Sequence, residues 1–354
     1  MLKETTIRTS LLISLLVKKI LVRYVMISMK LKGKRFHCRA LKGDPDYIMS
    51  IASDLSLSCN CNDKYGLGKI GNIRSQSLFE MLSGGKASHF RRMLSLGRIP
   101  IINCISCKAL ALTEKEEAHN YLNNYQLPSG IMVENTVNCN LKCIACERER
   151  IYKHRAQRFM PLDDIKYISK CLKDNHIQII HYFNYGEPFL SNTIKEELEI
   201  IRGDNSDISI ITSTNGTLLH LKEKMEAALY FDHIYFSIDG ATQESASRYQ
   251  RGIDFKKVYS NMKALVEIRN SRNKKRPVVE WKYVLFRWND SPKLISLAIQ
   301  LAREAKVDII SFWPTISPLY GISFRYYFGF GYFKHIGHPS WKGREIDFRQ
   351  QGIS

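Results

Sequence analysis

From about residue 130 onward, the apolar positions alternate between two rhythms. Short runs rich in β-branched and aromatic residues occur at 131–136 (IMVENT), 177–183 (IQIIHYF), 208–213 (ISIITS), 233–238 (HIYFSI), 278–286 (VVEWKYVLF) and 309–313 (IISFW). Between them apolar residues recur at helical spacing, as in Ile165, Ile168 and Leu172, or Leu294, Leu297, Ala298 and Leu301. Six strands alternating with helices predict an α/β fold of βα units around a parallel sheet, either open and doubly wound or curled into a partial barrel. In both cases the chemistry belongs at the C-terminal ends of the strands.

Residues 38–128 lack that rhythm. They predict one strand over Tyr47–Ser58, a Gly-rich turn region over Lys64–Asn72 and one or two helices within 77–97, which together read as a small α+β module. Ahead of it, residues 1–37 form a basic, apolar segment. Its run 11–28 (LLISLLVKKILVRYVMIS) is interrupted by Lys18, Lys19 and Arg23, so no transmembrane span is expected. A basic start and an apolar core are present, but no small-residue cleavage site follows, which argues against export. The remaining readings are a short amphipathic helix, or sequence upstream of a start at Met26 or Met29. Residues 316–354 form an extension rich in aromatics (Phe324, Tyr326, Tyr327, Phe328, Phe330, Tyr332, Phe333), suited to covering a barrel mouth or to lining a substrate cleft.

Composition narrows the class. With 44% hydrophobic and 25% charged residues over 354, wholesale disorder and fibrous repeats are excluded. The formal charge is +19. Residues 1–37 hold nine Lys/Arg against Glu4 alone, so +8 sits there and +11 is spread over the remaining 317 residues. That distribution weakens the case for nucleic acid, and no RNA-binding module is recognisable. Nine cysteines are too few for a disulfide scaffold, and eight of them fall between Cys38 and Cys146. Such grouping indicates metal ligation in a reducing compartment, with the cytoplasm as the default.

The sharpest constellation is Cys139, Cys143 and Cys146 in NCNLKCIAC, directly after the first strand of the βα region. Three thiolates at this spacing can hold three corners of a 4Fe–4S cubane and leave the fourth iron open. A structural zinc site would want a fourth ligand to close its tetrahedron, and only His154 follows nearby. The C-x3-C-x2-C motif in this position resembles the radical S-adenosylmethionine (radical SAM) superfamily. Further pieces resemble it in order: Tyr185-Gly186-Glu187-Pro188 after the second strand, Thr212-Ser213-Thr214-Asn215-Gly216 at the third, and Ser237-Ile238-Asp239-Gly240 at the fourth, followed by Arg248. The resemblance covers roughly residues 129–315 and implies a TIM-like (β/α)6 partial barrel.

By this resemblance, Gly186, Glu187 and their neighbours Tyr185 and Pro188 would hold the methionyl amino group of S-adenosylmethionine. Ser213, Asn215 and Asp239 would serve its other polar atoms, and Ser237 with Arg248 its carboxylate. Two positions depart from the usual pattern: Ala145 stands where an aromatic residue is common, and Tyr185 where a glycine is. The second cysteine group is Cys38, Cys59, Cys61, Cys104 and Cys107. With Gly71-Asn72-Ile73, Ser77-Leu78 and Arg91-Arg92 between the cysteines, it resembles the auxiliary-cluster (SPASM-like) domain of many radical SAM enzymes, four of the five thiols binding a second 4Fe–4S cluster. A zinc ribbon is the alternative. This domain usually follows the radical SAM core, and here it precedes it.

Cys171 falls in a helical run and is expected in the core, while His335 and His338 read as a surface pair. The resemblance implies an oxidoreductase or maturase-type enzyme that takes an electron from a flavodoxin- or ferredoxin-type donor. It would cleave S-adenosylmethionine to a 5′-deoxyadenosyl radical and abstract hydrogen from a peptide, protein or small metabolite. An RNA-modifying radical enzyme is the alternative, and a non-catalytic iron–sulfur electron carrier is a third reading.

Overall fold

The computed structural model describes residues 24, 26–28, 31–45, 47–61, 63, 65–328, 331–340 and 343–351. Most of the basic N-terminal segment, including Met29, lies outside these residues, as does Phe330. The chain divides into two compact units, residues 1–132 and 133–354.

In the first unit, strands Lys34–Cys38 and Leu110–Glu114 pair antiparallel. The long strand expected over Tyr47–Ser58 is instead a hairpin of Met49–Ile51 and Ser56–Ser58, continued by Lys69–Asn72. Its turn has local causes. Leu55 takes a left-handed φ of 63° and donates its N–H to Ala52 O at 2.8 Å, and Asp54 Oδ1 accepts the Ser56 N–H at 3.1 Å. Two helices, Leu78–Ser83 and Gly85–Ser95, fill the expected helical window. The first opens on a capping box, Ser77 with Glu80.

The second unit is a mixed α/β fold around a parallel sheet. The chain enters it through β1 (Gly130–Val133) and continues through α1 (Leu162–Asp174), β2 (Ile179–His181), α2 (Ile194–Asp204), β3 (Ser209–Thr214), α3 (Lys222–Ala228), β4 (His233–Ser237), α4 (Phe255–Ser271), β5 (Val278–Leu285), α5 (Pro292–Glu304) and β6 (Ile309–Pro314). Strands β2 to β6 are neighbours in sequence order, all parallel. A doubly wound sheet reverses its order at a switch point, so that alternative is excluded. The extension adds Gly343–Asp347 antiparallel on β6 and His338–Ser340 beyond it, strands that aromatic content alone did not suggest.

Alternation along the strands separates two faces. Ile210, Ile234, Phe236, Val279, Trp281 and Tyr283 are fully buried, and Trp281 packs on Phe255 and Tyr259 of α4. The opposite face carries His181, Ser213, Tyr235, Ser237, Lys282 and Trp313, all half-buried. In-register parallel pairing of Tyr235 with Ser213, and of Lys282 with both Ser237 and Ser311, sets these side chains in rows. Cys171 is half-buried rather than in the core, and Asn175 Nδ2 reaches its sulfur at 3.6 Å, because it lies at the margin of α1's buried stripe of Ile165, Ile168 and Leu172. His335 and His338 are both exposed. Among the described residues, no helix is long and apolar enough to cross a membrane.

Candidate active site

The loop after β1 carries Cys139, Cys143 and Cys146, and the protein shapes it through backbone atoms. Thr136 Oγ1 and the Val137 N–H both donate to Arg158 O at 3.0 Å. The buried Arg148 guanidinium donates to Cys139 O at 3.0 Å and to Leu141 O at 2.7 Å. The short strand Lys142–Cys143 pairs antiparallel with Gln250–Arg251, and the Ile144 N–H donates to Tyr249 O at 3.0 Å. Gln250 then joins this strand to the end of β4, donating to Ser237 O and accepting from the Asp239 N–H, both at 2.8 Å. Three cysteines four and three residues apart thus hang from one braced loop.

The Tyr185–Pro188 turn presses against the same loop. The Glu187 N–H donates to Asn138 O at 2.7 Å. A Cβ at Gly186 would lie 2.1 Å from Thr136 O and 2.8 Å from Asn138 O, so only glycine permits this approach. The Glu187 carboxylate is 2% exposed and accepts from Thr214 Oγ1 and the Asn215 N–H, each at 2.7 Å, and from the Phe189 N–H at 3.3 Å. Burial raises it to about 7 despite these three donors, which favour the ionised form.

From the end of β3, Asn215 Nδ2 donates to Asn140 Oδ1 at 2.9 Å and reaches the Cys139 sulfur at 3.6 Å. Asn140 and Asn215 both bond Thr217 Oγ1. Gly216 turns the chain with a left-handed φ of 71°, where a Cβ would strike Val258 and Phe236. Ser213 and Ser237 share a hydrogen bond at 3.0 Å on the half-buried face. Asp239 is 3% exposed, accepts the Val284 N–H at 3.0 Å, and is raised by burial to about 6. Arg248 stands apart from Ser237 on the exposed end of helix Gln243–Ser247, its guanidinium 5.2 Å from the centre of the Trp288 ring.

The residues expected from sequence therefore gather at the C-terminal ends of β1 to β4, with Arg248 on their rim. Sequence reasoning named Thr214 only as part of the third-strand motif and did not single out Asn140, Thr217, Gln250 or Asn289, which donates to Asp239 O at 2.9 Å. Asn140 was visible as the residue following Cys139, but nothing in the spacing marked the others.

Burial raises the Cys139 and Cys143 thiols, with Glu187 adding to the first and Asp239 to the second. A bound cation reverses this preference, because metal coordination deprotonates a thiol outright. The five cysteines of the first unit are likewise brought together. Burial pushes Cys38 up to about 12 and Cys104 to about 11, and Cys38, Cys59, Cys61 and Cys104 each feel at least one other cysteine of the group electrostatically. Among the described residues, no three His, Cys, Asp or Glu side chains close around a single metal ion.

Residues 133–278 match the family model described as "Radical SAM superfamily", so this part of the chain is a radical SAM domain. The radical SAM family implies S-adenosylmethionine and a 4Fe–4S cluster as cofactors. No curated protein matches the chain. Among solved structures, it is similar to native anSMEcpe with bound AdoMet, at 18% identity, covering 52% of this chain and 50% of that one with a TM-score of 0.38. It is also similar to methylornithine synthase (PylB), at 14% identity over 55% of each chain with a TM-score of 0.38. Coproporphyrinogen III oxidase (HemN) from Escherichia coli aligns at 14% identity over 45% of this chain and 38% of that one, with a TM-score of 0.35. The chain spans about half the length or less of these structures.

Proposed function

We propose that the chain, whose residues 133–278 are a radical SAM domain, cleaves S-adenosylmethionine reductively at a 4Fe–4S cluster and abstracts hydrogen from a peptide, protein or small metabolite. The observation that carries this reading is the convergence on one cysteine loop of Gly186–Glu187 from β2 and Asn215 from β3. Spacing on sequence can arise by chance, but three strand ends meeting at Cys139 cannot be read from any single motif.

The donor set fits the cofactors. Cys139, Cys143 and Cys146 supply three soft ligands and leave one iron open. When bound, the cluster and S-adenosylmethionine supply one-electron cleavage and the hydrogen-abstracting group, the hard part of the chemistry. The protein's tasks are to bind, orient and exclude water. The backbone at Tyr185, Gly186 and Pro188 offers carbonyl acceptors for an ammonium, while the Glu187 carboxylate holds the strand ends in register. Ser213 and Ser237 offer hydroxyls on the half-buried face, and Asn215 sets the Cys139 sulfur. Arg248 supplies a guanidinium fork for the carboxylate. In this reading the sequential parallel sheet is a partial TIM-like barrel, and its half-buried face, with Lys282, Tyr235 and Trp313, receives the substrate.

The first unit would be a SPASM-like auxiliary domain, with four of Cys38, Cys59, Cys61, Cys104 and Cys107 holding a second 4Fe–4S cluster. A flavodoxin- or ferredoxin-type protein would deliver the electron, and the cytoplasm supplies the reducing conditions that exposed thiols such as Cys146 need. The formal charge of +19 favours an RNA substrate as a second reading.

The test is anaerobic reconstitution with iron and sulfide, followed by S-adenosylmethionine and a strong reductant. The parent should release 5′-deoxyadenosine and methionine, and Cys143→Ala should release neither. A fully loaded parent that leaves S-adenosylmethionine intact refutes the assignment. Salt-dependent retention on RNA would shift the substrate class to the second reading.

A further inference from the structure

Helix Gly85–Ser95 buries Ala87, Phe90 and Leu94, and one charged residue, Arg91, shares that face. Arg91 is 6% exposed, and an arginine is almost never fully buried unless paired. Part of its guanidinium is satisfied: Nε donates to Leu122 O at 3.2 Å, one terminal nitrogen donates to Leu82 O at 2.6 Å, and the plane lies 4.1 Å from the centre of the Tyr125 ring. The other terminal nitrogen, Nη1, is buried with no partner. These carbonyls and the ring face are neutral, so they position the cation without cancelling its charge. The two titratable groups that act on Arg91 electrostatically are Tyr125 and Cys38. A tyrosine hydroxyl is uncharged near neutral pH. Among the described groups that act on Arg91, Cys38 is therefore the one that can carry a compensating negative charge.

The surroundings of Cys38 agree. A cavity of about 10 Å3, room for a single water, is lined by Cys38, His37, Lys42, Arg91 and Tyr121. His37 Nδ1 is a second buried polar atom without a partner there. Lys42 reaches Tyr121 OH at 3.4 Å and has Glu117 near it, so its charge is partly met. The Arg91 charge is not. A thiol beside a buried guanidinium whose charge is uncancelled suits an anionic centre, since a cubane held by four thiolates carries net negative charge.

We propose that Arg91 is the counter-cation of an iron–sulfur centre bound through Cys38, and that it raises the reduction potential of that centre. This rests on the reading of the first unit as a cluster-binding domain. Adding an electron increases the negative charge of the centre, and a fixed buried cation stabilises the reduced state more than the oxidised one.

The experiment uses full-length chain carrying Cys139→Ala, Cys143→Ala and Cys146→Ala, so that only the second centre contributes a signal. Reconstituted anaerobically and titrated with dithionite under electron paramagnetic resonance, it gives that centre's midpoint potential. Adding Arg91→Gln should make the centre about ten-fold harder to reduce, a downward shift of ~59 mV for a one-electron couple. Arg91→Lys keeps the charge and should stay close to the parent. An unchanged potential in Arg91→Gln at full iron content overturns the proposal, as does an equal shift in both variants. If Arg91→Gln holds no iron, retention at the parent potential in Arg91→Lys supports a role of charge, and loss in both refutes it. A background protein without iron overturns the cluster reading itself, a failure visible before Arg91 is touched.

Discussion

The backbone N–H of Asn215 donates to the buried carboxylate of Glu187 at 2.7 Å. The same carboxylate accepts Thr214 Oγ1, and the Glu187 N–H in turn donates to Asn138 O, both at 2.7 Å. One residue thus fastens the ends of β2 and β3 to the cysteine loop. Its side chain is committed to protein donors.

That commitment has a pH signature. Folded Glu187 is raised to about 7 from an ordinary value of 4.5, chiefly by burial. Between those values the folded chain holds a proton that the unfolded chain has released, so stability falls as pH rises from about 4.5 to about 7 and is level above. Asp239, raised to about 6 from 3.8, adds a fall over a lower window. The Glu187 share is at most about 3 kcal/mol. Urea unfolding of cluster-free protein across this range should show the decline, and Glu187→Gln should remove most of its upper part. A parent whose stability is flat between about pH 5 and about 7 would contradict the buried environment assigned to Glu187.

How much of this was legible beforehand depends on the kind of signal. The six core strands were readable because β-branched runs such as ISIITS and VVEWKYVLF have no helical period. The hairpin at Met49–Ser58 was not, because its turn is made by a left-handed Leu55 and an Asp54 side-chain bond rather than by glycine or proline. Motif residues at strand ends were found because they recur as local strings. Gln250 and Asn289 were missed because their partners, Ser237 and Asp239, lie 13 and 50 residues away. The antiparallel strand Gly343–Asp347 was hidden by a segment whose aromatic content suggested only a cover.

Gly186→Ala tests the contact between turn and loop. Its Cβ would meet two backbone carbonyl oxygens, at 2.1 and 2.8 Å, neither of which is the end of a flexible side chain. The turn or the cysteine loop must move, and either displaces Cys139 from its place beside Asn215. The variant should fold, as judged by circular dichroism, yet load about half the parent's iron, retaining only the second centre. Full loading would show that the loop tolerates the shift.

The two cysteine groups predict the total. Three thiols on the loop and five in the first unit correspond to two 4Fe–4S centres, about eight irons per chain. Replacing Cys139, Cys143 and Cys146 together by Ala should leave about four, counted by colorimetric iron and sulfide analysis after anaerobic reconstitution. Retention of all the iron would move the first centre elsewhere. Zinc in place of iron would contradict the cubane assignment.

Arg248 gives the most discriminating substitution, because its position admits two opposite outcomes. Its guanidinium is exposed and lies over the Trp288 ring, which stacks in turn on Phe286 at 4.8 Å between ring centres. No carboxylate pairs with it among the described residues. The ring contact restrains the guanidinium without consuming its donors, which leaves the fork ready for a bidentate carboxylate such as that of S-adenosylmethionine. A desolvated charge-assisted pair of this kind is worth on the order of 2–4 kcal/mol, while an exposed arginine contributes little. Lysine keeps the charge but loses the fork, so Arg248→Lys should weaken S-adenosylmethionine binding by about ten-fold or more. Iron content should not change, since Arg248 contributes no ligand. Anaerobic calorimetry measures both proteins directly. Equal affinity would assign Arg248 to the solvated surface with Arg251, Lys256 and Lys257, and would require another cation to meet the carboxylate.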